Sequence, residues 1–121
     1  MEKPCEVLFE GLRTNLFNKI SQIGDEVKYK LSEINDSFCY LFVGHWLSGD
    51  IGHDRKDISM MIKTFCEAFK RKPSSKRPGL ILKTSSAKFS IIDRDTIQKK
   101  IQQIIAPYGN KAPNIYLLHG D

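Results

Sequence analysis

The stretch FCYLFVGHWLSGDIGHDRKD, Phe38 to Asp57, decides how the chain folds. It opens with an unbroken apolar run, FCYLFV. It then passes through a segment carrying Gly44, Gly49 and Gly52, His45 and His53, and the Arg55-Lys56 pair. It ends where Ile58, Met61, Ile62, Phe65 and Phe69 begin one stripe at helical spacing. An apolar run of this length, preceded by the turn residues Asn35-Asp36-Ser37, predicts a strand buried on both faces, as in parallel sheets covered by helices. Strand, glycine-bearing loop and helix N-terminus form a common phosphate-binding arrangement, because free N–H groups and the helix dipole face the anion. The loop from Gly44 to Lys56 is more than twice as long as the usual strand-to-helix connection of about 2–6 residues. Long loops at the C-terminal ends of parallel strands are where such folds place function. The alternative is a surface excursion with Trp46 tucked against the sheet.

Working outward, the downstream helix is predicted from about Arg55 to Arg71, capped by Asp54 or Asp57. Pro78-Gly79 then opens a second strand, Leu80 to Thr84. Lys83 interrupts that strand near its C-terminal end, where a lysine either serves a site or extends its stem past the sheet rim. Ser85 to Ser90 is a polar connector. Asp93 or Asp95 is the expected cap of a helix running to about Ala106, with Ile97, Ile101, Ile104 and Ile105 inward. Pro107, Gly109 and Pro113 break it. Ile115 to Leu118 is a third strand. Upstream, Val7 to Phe9 reads as a short strand, Glu10-Gly11 as a turn, and Asp25 to Ile34 as a short helix capped by Asp25, with Val27, Leu31 and Ile34 on one face.

Strand and helix therefore alternate from Phe38 onward. This order predicts an α/β fold: a three-layer, Rossmann-like parallel sheet with right-handed crossovers, preceded by a short strand and a short helix. The expected organisation is an entry segment, 1–37, and a partial Rossmann-like unit, 38–121. In a doubly wound topology the three strands take the order 3-2-1, an incomplete half of such a domain. The Phe38 strand then sits at one side of the sheet, yet it has no charge or proline to protect an edge. Its neighbour would be the Val7 segment, a second copy of the chain or a further C-terminal half. Self-association through Phe38–Val43 is one expectation, and a marginally stable, incomplete domain is the other.

The chain has 121 residues and a formal net charge of +5, enough for one modest core. No apolar run reaches membrane-spanning length. The N-terminus lacks the apolar stretch of a secretory signal, so a cytoplasmic location is expected. The densest basic run, Lys70 to Arg77, reads as a solvated connector after a helix C-terminus rather than a nucleic-acid patch, since no aromatic residue is interleaved with it. Cys5, Cys39 and Cys66 form neither a disulfide framework nor a zinc motif. His45, His53 and Asp50 or Asp54 share one loop but match no metal spacing. No Ser-His-Asp arrangement is evident, and no cofactor is expected.

Two stretches resemble the retaining GT-B glycosyltransferases of glycosyltransferase group 1. VLFEGLRTNLF, Val7 to Phe17, is similar to the segment joining their two domains. Phe38 to Phe69 is similar to the first strand, loop and helix of their donor-binding domain, and LILKTS and IYLLHGD fit the next strands. The resemblance implies that the diphosphate of a nucleotide-sugar lies over the loop after the first strand. Gly44 matches the family's glycine and Lys56 its lysine. His45 stands in the place of an arginine, which Arg55 would replace in charge, and Lys83 would line the rim of the donor site. The resemblance includes neither the family's Glu-x7-Glu motif nor its acceptor-binding domain. It thus implies a glycosyltransferase fragment, inactive alone. A non-catalytic Rossmann-like binding or oligomerisation module is the alternative.

Overall fold

Apolar runs separated by helical stripes leave little choice of architecture once the strands must pair in parallel. The computed structural model describes residues 3–7, 11–47, 51–86 and 90–120. They form two compact units, Met1–Glu33 and Ile34–Asp121. In the first, helix α1 (Asp25–Ser32) starts after Gly24, so the expected cap, Asp25, is instead its first residue. An exposed Lys30–Glu26 ion pair one turn apart braces it. The strand expected at Val7–Phe9 and the turn at Glu10-Gly11 fall largely on residues outside the described ones.

The second unit is α/β. Strands β1 (Cys39–Val43), β2 (Gly79–Thr84) and β3 (Ile115–His119) alternate with helices α2 (Ile58–Phe69) and α3 (Ile91–Ile105). The sheet is parallel with β2 central, in the order β1-β2-β3, as expected. Tyr40 is in register with Leu80 and Phe42 with Leu82, while Leu80 and Leu82 face Ile115 and Leu117 on the other side. The even-numbered positions of β1 and β2, with Ile115 and Leu117 of β3, point toward the helices. Leu80 and Leu82 join Ile58, Ile62 and Cys66 of α2, Ile97 and Ile101 of α3, and Trp46 in one buried core. Tyr40 meets Phe65 edge-on, and both meet Phe69 at a tilt, with 4.9–6.1 Å between centroids; the three rings fasten β1 to α2. Of the layers expected, the sheet and the helix layer formed by α2 and α3 are described in this unit.

One expectation needs correcting. The FCYLFV run is not buried on both faces, because Leu41 and Val43 are 65% and 61% exposed. The strand buried most thoroughly is β2, the central one, despite its lysine. Among the described residues no strand pairs with the outer edge of β1.

Local sequence explains the helix ends. Asp57, in a left-handed conformation (φ 42°), caps α2 through Met60 N, so Arg55 and Lys56 lie in the turn before the helix rather than in its first turn. Ser90 caps α3 by accepting a hydrogen bond from Asp93 N at 3.1 Å, displacing the expected caps Asp93 and Asp95. Of the described glycines, Gly79 sits in the tightest surroundings. A Cβ there would stand 2.7 Å from Asp36 Oδ2 and 2.9 Å from Cys39 Sγ. Asp36 in turn accepts hydrogen bonds from Tyr116 Oη (2.6 Å) and Asn114 Nδ2 (3.2 Å), tying the approach to β1 to the start of β3.

Candidate functional site

The C-terminal ends of β1, β2 and β3 carry the polar residues that the sheet's topology sets aside for chemistry. Backbone pairing runs past β1: Gly44 N donates to Lys83 O at 3.1 Å, and Trp46 N to Ser85 O at 2.8 Å. Trp46 is thereby drawn from the loop into the core, as the surface-excursion reading had it. Residues 51–57 lead into α2.

Lys56 folds back onto this end. Its Nζ donates to Val43 O at 3.4 Å and lies 5.7 Å from the centre of the Phe42 ring. It rests directly on Gly44, where a Cβ would come within 2.8 Å of Nζ and 3.0 Å of Cδ. Glycine here makes room for the ammonium group. Gly44 and Lys56, separated by the whole loop, are thus brought together. The other expected residues are placed differently. Arg55 is exposed in the turn before α2. His45 is exposed, with Nδ1 3.4 Å from Ser85 Oγ. Lys83 is in register with Val43, so strand alternation sends it to the sheet face opposite Phe42 and the helices, and Gly120 lies beside its ammonium group.

Two carboxylates organise the loop. Asp54 accepts from Leu47 N at 3.1 Å and Lys56 N at 3.4 Å; Asp57 accepts from Gly52 N at 3.0 Å and Met60 N at 3.4 Å. An anion arriving at the α2 N-terminus would compete with Asp57 for Met60 N. The long bonds from Lys56 Nζ and Met60 N are the ones most readily given up.

A second cluster escaped the sequence reading. Asp93, buried at the start of α3, accepts from Ser86 Oγ, from Ser86 N at 3.2 Å, and from His119 Nε2 at 2.6 Å. Burial pushes the Asp93 carboxyl up, but hydrogen bonds from Ser86 and His119 outweigh it and hold the group below its ordinary value. The carboxylate lies between hydroxyl and imidazole, so the imidazole is not placed to take the serine proton. The cluster therefore lacks the order of a nucleophilic triad. Its signal in the sequence was the pairing of Ser90 with Asp93 three residues on. Once serine supplies the cap, the aspartate is released to reach β3.

Burial pushes the Cys66 thiol up to about 11, which makes it an inert core residue. Among the described residues, no three of His, Cys, Asp and Glu gather to hold a metal ion; Asp50 lies outside them. No helix among them is long and apolar enough to cross a membrane. Comparison of the chain with protein-family models, with curated proteins and with solved structures gives no match.

Proposed function

We propose that the Phe38–Asp57 segment is the diphosphate-binding element of a nucleotide-sugar donor domain, of the kind used by glycosyltransferases that move a sugar from a nucleotide-sugar to an acceptor. The observation that carries this reading is the Lys56 ammonium group seated on Gly44 at the C-terminal end of β1. Among the described residues it makes a long bond to a carbonyl and lies over an aromatic face there. Turning it to a phosphate oxygen replaces weak contacts with a charge-assisted one. In transfer, that cation would offset charge gathering on the departing diphosphate.

Titration calorimetry with uridine- and guanosine-diphosphate sugars tests this. Losing a hydrogen bond to a charged group, about 1.5–3 kcal/mol, makes Lys56→Ala bind at least about tenfold more weakly. Gly44→Ala does the same by pushing the ammonium group aside, and it also lowers stability modestly, because the Phe42 ring edge, 3.1 Å from the added Cβ, must shift as well. Equal affinity in Lys56→Ala removes that lysine from the site. No binding by the native chain ends the reading.

A second reading, a module that assembles through β1, is favoured by the exposure of Tyr40, Leu41 and Val43 along that strand and of Phe38 just before it. Sedimentation velocity decides it. A concentration-dependent dimer that Leu41→Lys converts to monomer supports the reading, and a native chain that stays monomeric at high concentration overturns it.

A further inference from the structure

An open groove of about 1340 Å³ lies along the outer sides of α2 and α3. Six cations line it: Lys63, Lys70, Arg71, Lys72, Arg77 and Lys111. Glu67 is the single carboxylate among its described lining residues. That excess matches the whole chain's formal net charge of +5, so the residues outside the groove balance one another. Helix-dipole compensation accounts for Lys70 to Lys72 at the end of α2. It does not account for Lys63 in mid-helix or for Lys111, which comes from the segment after α3.

The groove's geometry is held by its own polar groups. Glu67 takes hydrogen bonds from Lys70 and from Tyr108 Oη (2.8 Å), which hold its carboxyl below the usual range. Arg77 donates to Lys72 O and Asn110 O, both at 2.7 Å, and fixes one end. Along α2 the lining runs from Ser59 to Lys70, about 16 Å at the helical rise. Tyr108 and Pro107 supply apolar wall between the cations. The run Lys70 to Arg77 has no aromatic residue of its own, and the fold brings one to it.

We propose that this groove binds a single nucleic-acid strand: the row of cations tracks the phosphates, and the Tyr108–Pro107 wall takes a base. An acidic polypeptide would use the charges but leave that wall without a role. Gly44, His45, Arg55 and Lys56 do not line the groove, so the two binding readings stand or fall separately.

Fluorescence anisotropy of labelled oligouridylate and oligothymidylate with the full chain is the test. Binding should fall as salt rises, with a log–log slope of about −3 if about four phosphates are engaged. Reversing two exposed groove cations, Arg71→Glu with Lys111→Glu, should weaken binding at least tenfold and flatten the slope by about 1.4. Reversing two exposed lysines elsewhere, Lys28→Glu with Lys99→Glu, leaves the same net charge and should change affinity less than about twofold. Equal loss in both pairs reduces the effect to net charge and overturns the proposal. Absence of binding at low salt overturns it too. Displacement by polyglutamate at matched charge overturns the nucleic-acid assignment in favour of an acidic polypeptide.

Discussion

Trp46→Ala lowers the stability of the Ile34–Asp121 unit by about 4 kcal/mol, the upper part of the range for truncating a buried aromatic. Trp46 belongs to the loop in sequence but to the core in space. It is 0% exposed, in one cluster with Ile58, Ile62, Leu82, Ile97 and Ile101. Its backbone N–H bonds to Ser85 O at 2.8 Å, and Lys100 Nζ lies 5.5 Å from the centre of its ring. Removing the indole takes away the packing of both helices against the sheet end and loosens the return of the loop to Lys56. Domains of this size hold only about 5–15 kcal/mol in total, so the loss takes a large share. Trp46→Phe costs far less, about 1–2 kcal/mol, because most of the volume stays. Nε1 is buried with no hydrogen-bond partner among the described residues, so phenylalanine forfeits no bond there. Trp46 is the chain's single tryptophan, so urea unfolding is followed by circular dichroism. A loss below 1 kcal/mol in the alanine variant would place Trp46 outside the core.

The helix at Ile58–Phe69 was legible because its periodicity is carried by five large side chains on one stripe, whatever packs against them. The strand order was legible for a similar reason, since helical segments between apolar runs admit few parallel topologies. Burial of β1 was not. FCYLFV and LILKT look alike as apolar runs, and an apolar run does not say that one face of the first is left exposed at Leu41 and Val43. Lys83 shows the same limit: its place at the strand end was legible, but the face it occupies depends on register. Gly44 and Lys56 could be paired in advance only through a resemblance, because nothing local in the loop says how it closes. Ser86, Asp93 and His119 come from a connector, a helix and a strand. Each has an ordinary local explanation, and only the fold makes them one cluster.

That cluster sets the second large effect. Asp93→Ala should cost about 3 kcal/mol at neutral pH, because it strips the acceptor from Ser86 N, Ser86 Oγ and His119 Nε2 together. The aspartate and histidine side chains are only 7% and 9% exposed, so water replaces those bonds poorly. The removal frees the end of β3 from the start of α3. Asp93→Asn keeps one oxygen acceptor and the volume, and should lose less. The pH dependence separates charge from packing. The folded carboxyl lies below its ordinary value of 3.8, so the unfolded chain takes up the proton first. Its stabilising contribution is therefore fully present above the unfolded value and is lost as pH falls through the folded one. Wild-type stability should drop with acid below about pH 4, while Asp93→Asn lacks this component. The gap between the two, read from urea unfolding, should narrow from pH 7 to pH 3. A gap of the same size at both pH values would mean that Asp93 contributes through shape and neutral hydrogen bonds alone, with no share from its charge.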